Sequence, residues 1–175
     1  KESCQESQEE RKEEGQMILQ IFDDCIEEPE EYVEEIRAGE FVDVVDGDQV
    51  FKNLQARGRD EFQETMEELY PRHEVLYNFV RCSPLGQHEP NFIHEDSMMG
   101  EKIAILYLNQ AFPEEDGTTI YNEDETPMIV VKARYNRLIV FDTHLLHGRN
   151  IEENYGEGDS SRLIQVIFLG TSNEE

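Results

Sequence analysis

From His73 onward the chain stops reading as helix. Five short segments, His73 to Arg81, Lys102 to Asn109, Met128 to Ala133, Arg137 to Phe141 and Arg162 to Leu169, are rich in β-branched and aromatic residues and are separated by turn residues. Such segments favour extended backbone, because branched and aromatic side chains pack well on a pleated surface. Their apolar runs fall far short of the roughly 20 residues needed to cross a bilayer. The preceding region has a different period. Met17 to Phe22 reads as a first strand, and Pro29 then opens a helix whose Glu30, Glu31, Glu34 and Glu35 suit the positive end of a helix dipole. That helix carries Tyr32, Val33 and Ile36 inward and ends near Gly39. A second helix runs from Asp60 to Leu69, with Phe62, Met66 and Leu69 on one face and Pro71 as its stop. Between the helices only a turn at Asp46-Gly47-Asp48 is legible.

Helices followed by a run of strands predict a mostly β fold with flanking helices: a double-stranded β-helix, or jelly roll, with the N-terminal helices packed on one sheet. At 175 residues the chain suits one domain. We place it at residues 16–175, behind an acidic tail, residues 1–15, too polar to offset the entropy of ordering. The 15 basic and 41 acidic residues leave a net charge of −26. The first 40 residues carry 15 acids and 4 bases, or −11, so more than a third of the excess lies ahead of the strand-rich region. This charge disfavours nucleic acid and anionic membranes as partners. Cys4, Cys25 and Cys82 are far apart and odd in number, which suggests reduced thiols and a cytoplasmic protein. No hydrophobic signal segment is visible, and nothing indicates an oligomeric state.

Within the strand-rich region, His94-Glu95-Asp96 places an imidazole and a carboxylate two residues apart. On extended backbone these point to the same side, so both can reach one ion while Glu95 points away. By itself such a pair is common in an acidic protein. A third ligand would come from another strand, and His147 lies 51 residues after Asp96, just beyond Leu138-Ile139-Val140-Phe141. Two histidines and one carboxylate are a donor set for ferrous iron that leaves positions open for substrate and dioxygen. His144, three residues earlier, is a competing ligand. Arg162 opens an apolar strand and alternates with Ile164, Val166 and Phe168. If that face is interior, the guanidinium needs an anion there; an ion pair with a surface acid is the plainer alternative.

The order of these motifs resembles the iron(II) and 2-oxoglutarate-dependent oxygenases, most closely the prolyl 4-hydroxylase-like branch. The resemblance covers about residues 75–170 and rests on five stretches. They are Arg81 to Gln87 leading into His94-x-Asp96, Ala104 to Asn109, Asp116 to Tyr121, Leu138 to Phe141 leading to His147-Gly148, and Arg162. It implies that His94, Asp96 and His147 bind Fe(II) and that Arg162 holds the distal carboxylate of 2-oxoglutarate. It further implies that dioxygen and 2-oxoglutarate are consumed, with release of succinate, while a C–H bond of an amino acid, peptide or small molecule is hydroxylated. Cys82 stands where the branch has a cosubstrate-binding tyrosine, which makes Tyr107 and Tyr77 the candidates for that hydrogen bond. Asp116 and Thr118 replace Gly and Glu, and Asn150 to Ser161 lengthens the gap before the arginine. His88 and Arg149 are candidate substrate contacts. A non-catalytic, cupin-like metal-binding module is the alternative function. A halogenase would lack the carboxylate that Asp96 supplies.

Overall fold

A computed structural model describes residues 5–6, 11–13, 16–55 and 57–171. Two antiparallel sheets face each other, as expected of a jelly roll. The larger has nine strands among the described residues. In chain order these are β1 (Gln5–Glu6), β2 (Arg11–Glu13), β3 (Gln16–Asp23), β4 (Val42–Asp46), β5 (Gln49–Gln55), β6 (His73–Ser83), β7 (Lys102–Tyr107), β10 (Arg137–Asp142) and β12 (Arg162–Thr171). Across the sheet they run β1-β3-β10-β7-β12-β6-β5-β4, with β2 also on β3. The smaller sheet is β11-β8-β9, made of His147–Arg149, Gly117–Tyr121 and Pro127–Lys132. Helices α1 (Pro29–Arg37) and α2 (Asp60–Leu69) match the periodicity of the sequence.

The large sheet is apolar on both faces, which is why its central strands read as continuous hydrophobic runs. Leu163, Ile167 and Leu169 of β12 join Leu106 of β7, Leu138 and Val140 of β10, and the helix residues Tyr32, Ile36, Phe62 and Met66 in an outer core. The alternate residues Ile164, Val166 and Phe168 join Ile103, Ile105, Tyr107, Ile139, Phe141 and, from the small sheet, Ile120 and Val131 in an inner core. Strand parity assigns Arg81, Ser83 and Arg162 to the inner face and Cys82 to the outer one. The one polar residue inside β12, Gln165, faces the helices, where its amide donates to Asn78 Oδ1 at 2.8 Å and accepts from the Tyr32 hydroxyl.

The ambiguous stretch between the helices is the hairpin β4–β5, turned at Gly47, whose φ of +59° is left-handed. Strands β8 and β11 are too short and polar to stand out in the sequence. Of the lead expected to be disordered, residues 5–6 and 11–13 pair with β3, and the rest lies outside the described residues. The expectation of three reduced thiols is corrected: Cys25 is disulfide-bonded, whereas Cys82 is a free thiol. Spacing along the chain could not reveal this, because a disulfide depends on distance in space.

Candidate metal centre

The segment carrying His94 forms no long strand but is tied to β11 through the main chain. His94 N–H donates to His147 O at 3.0 Å, and His147 N–H donates to His94 O at 2.8 Å. The Asn91 amide donates to the carbonyls of Arg149 and Ile151, both at 3.1 Å, and Asp96 N–H donates to Thr143 O at 2.8 Å. Two residues that are local in sequence and one that is remote are thereby held in register before any ion is considered.

His94, Asp96 and His147 each offer a donor atom, and the three atoms lie within 4.8 Å of one another. Nε2 of His147 is 3.3 Å from one Asp96 oxygen, and Nε2 of His94 is 3.8 Å from the other. The opposite ring nitrogens are engaged: Nδ1 of His94 lies 3.0 Å from Phe92 O, and Nδ1 of His147 lies 2.9 Å from Leu145 O. A backbone carbonyl can only accept, so each Nδ1 carries a proton, which leaves Nε2 as the nitrogen available to an ion. Imidazoles oriented by a second hydrogen bond, beside a carboxylate, fit a divalent transition metal. Phe141 packs edge-on against His147, with ring centroids 4.9 Å apart. Among the described residues this is the one group of at least three such side chains with metal-binding spacing. His144 is exposed and outside it, and Glu95 is also exposed.

At the other end of the inner face lies Arg162, 5% exposed. It is paired with an acid, but a buried one from the same chain. Its Nε donates to both oxygens of Asp116, at 2.9 and 3.2 Å, and Asp116 is fully buried. Asp116 also accepts from the Tyr155 hydroxyl at 2.8 Å and from Gly117 N–H at 2.6 Å. Burial disfavours the charged guanidinium, but Asp116 together with Tyr107 and Tyr155 more than offsets it, and the Arg162 pKa moves upward. Gly117 is required here: at φ +151°, an added Cβ would sit 1.9 Å from Val131 O.

Tyr107 reaches this end, being opposite Ile164 in the sheet and fully buried, with its hydroxyl 2.7 Å from Thr118 Oγ1. Burial pushes its pKa up to about 12, against the Thr118 hydrogen bond and the positive charge of Arg162. Tyr77 is not brought there. It lies opposite Phe168, edge-on to that ring and half exposed, six residues along β6 from Ser83, the partner of Arg162. Cys82 points to the helix side, so its position offers the inner face no side chain. Arg149 is a brace. Its terminal nitrogens donate to Glu89 Oε2 at 3.1 Å, Asn154 Oδ1 at 2.7 Å, Glu89 O at 3.1 Å and Glu152 O at 3.2 Å, which ties two loops together. His88 is exposed on one of those loops. The residues that the sequence did not single out for this end are Glu89 and Tyr155. Asp116 was visible only as a departure from a motif, since nothing in a chain with 41 acids marks which of them is buried.

No protein-family model and no curated protein matches the sequence. Among solved structures, the chain is similar to the non-heme alpha ketoglutarate dependent epimerase SnoN from nogalamycin biosynthesis, at 14% identity and a TM-score of 0.63 over 87% of this chain and 76% of that one. A second structure holds SnoN with Fe3+, alpha ketoglutarate and nogalamycin RO. HygX from Streptomyces hygroscopicus, with nickel, 2-oxoglutarate and hygromycin B bound, matches at 12% identity and a TM-score of 0.57, over 89% of this chain and 83% of its own. An oxidoreductase of the 2OG-Fe(II) oxygenase family from Burkholderia pseudomallei matches at 13% identity and a TM-score of 0.56, over 89% and 86%. At these identities the likeness establishes the fold, a jelly roll that oxygenases of this kind share.

Proposed function

We propose that the protein is an iron(II)- and 2-oxoglutarate-dependent oxygenase that hydroxylates a C–H bond of an amino-acid, peptide or small-molecule substrate, with decarboxylation of 2-oxoglutarate to succinate. The observation that carries this reading is the triad itself: three donors converge within 4.8 Å, with both Nδ1 atoms already committed to backbone carbonyls. His94 Nε2, the Asp96 carboxylate and His147 Nε2 would hold the ion. Bound Fe(II) would supply the activation of dioxygen, which no side chain can perform.

The chain's own residues place and shield the reactants. Arg162 stands on the same inner face as the metal end, and its terminal nitrogens receive no hydrogen bond partner among the described residues, so they can take a carboxylate in a fork pairing. Tyr107 lies at that end, and the face between the two ends is covered by apolar side chains of the inner core. Similar structures include an epimerase and an oxygenase-family oxidoreductase, so the choice of hydroxylation rests on the prolyl 4-hydroxylase-like order of motifs. Anaerobic titration with Fe(II) and 2-oxoglutarate should give a weak visible charge-transfer band, followed under air by succinate release. Metal binding without either signal would instead support a cupin-like binding module. A succinate-release screen over amino acids, peptides and small metabolites would identify the substrate.

A further inference from the structure

The arginine end holds more charge than Arg162 alone. Arg149 lies within electrostatic reach of Arg81, Arg162, Glu89 and Asp116. Arg81 approaches Glu89 at 3.5 Å, and Arg149 shares that carboxylate at 3.1 Å. Glu89 is itself buried and held by the Ser83 hydroxyl and the Gln87 amide. Three guanidiniums, Arg162 buried and Arg81 and Arg149 partly so, against two buried carboxylates leave one positive charge in a protein whose net charge is −26. The donors are also in surplus: among the described residues Nε of Arg149 is buried without a hydrogen bond, and Nε of Arg81 has only the 3.5 Å ion-pair approach to Glu89. The cluster becomes neutral when it takes one monoanionic group.

Asp116 decides that number. It saturates the Nε side of Arg162 with both oxygens and, among the described residues, leaves Nη1 and Nη2 without a hydrogen bond. It is fixed by Gly117 N–H and, from the loop that covers this end, by Tyr155. The geometry points to Asp116 as the positioning and charge-setting residue of an anion site, orienting Arg162 toward a single carboxylate and limiting the charge that an incoming ligand meets. This rests on the oxygenase reading, in which the carboxylate is the distal one of 2-oxoglutarate. A carboxylate beside an incoming carboxylate repels it, and in a buried site that repulsion is weakly screened.

The test is Asp116→Asn in the full chain loaded with redox-inert Zn(II), with ligand binding followed by calorimetry and by melting temperature. The asparagine oxygen still accepts from Arg162 Nε, so orientation survives while the charge is lost. Unliganded Asp116→Asn should melt below the parent, bind 2-oxoglutarate on the order of tenfold more tightly, and gain a larger melting shift from it. Pyruvate, which lacks the distal carboxylate, should bind both alike. Tyr155→Phe keeps the charge and removes one donor from Asp116. It should weaken 2-oxoglutarate by about threefold, and it tests the assignment should Asp116→Asn fail to fold. Unchanged or weaker 2-oxoglutarate binding in Asp116→Asn, or unchanged binding in Tyr155→Phe, would overturn the role of Asp116. Absence of 2-oxoglutarate binding in the parent would instead remove the oxygenase reading on which it stands.

Discussion

The two ends of the inner face are held by different means. At the metal end the main chain does the positioning: reciprocal N–H to carbonyl bonds between His94 and His147, and carbonyl caps on both imidazoles. The ligands' remaining atoms are thus free to face one another. At the arginine end side chains satisfy side chains, with Arg162 on Asp116, Tyr155 on Asp116, and Arg149 on Glu89. Trimming a proposed ligand at the first end should remove function and leave the scaffold bonds in place. Trimming a residue at the second strands a buried partner, so function and stability fall together.

The largest effect should come from His147→Ala, His94→Ala or Asp96→Ala. Each leaves two donors, and each should abolish stoichiometric Fe(II) binding and uncoupled 2-oxoglutarate turnover while chemical denaturation shows a folded protein. His144→Ala should retain both activities; their loss there, with retention in His147→Ala, would transfer the ligand role to His144. Next is Arg162→Met, which leaves the fully buried Asp116 without its cation and should cost about 3–5 kcal/mol in urea denaturation. Adding Asp116→Leu should restore much of that stability but not 2-oxoglutarate binding. If Arg162→Met alone were as stable as the parent, the contrast between the two ends would fail.

That contrast also governs what the sequence could disclose. The metal end obeys rules local in sequence: alternation puts His94 and Asp96 on one side, and the apolar run of β10 leads the chain back toward β11. The face of Arg162 followed from the same alternation, as did both helices from their spacing. Its partner did not, because Asp116 and Arg162 are 46 residues apart and meet through the packing of two sheets. The Tyr77 and Cys82 readings depended on how far along a strand, and on which face, a motif match falls. Strand parity turns Cys82 to the helices, while distance along β6 removes Tyr77 from Arg162.

A smaller effect separates this arginine end from another Asp–Arg cluster on the same sheet. Asp23, at the end of β3, accepts from Arg137 at 2.7 and 3.0 Å and from Arg134 at 2.9 Å. The Arg137 hydrogen bond is the main reason its pKa lies below the ordinary 3.8, with burial opposing. A folded-state pKa below the unfolded one means that the unfolded chain takes up the proton first. Asp23 therefore contributes stability that is fully present above the ordinary value of 3.8 and is lost as pH falls through the lower folded value. Asp23→Asn should be less stable than the parent at neutral pH and should approach it as pH drops toward that lower value, read as converging urea midpoints. Unlike the Asp116 cluster, this pair has its acid answered by two arginines at the rim of the sheet, with Arg134 largely exposed. 2-Oxoglutarate should therefore leave the Asp23→Asn midpoint shift unchanged, and a ligand-dependent shift would mean that the two clusters are coupled through β10.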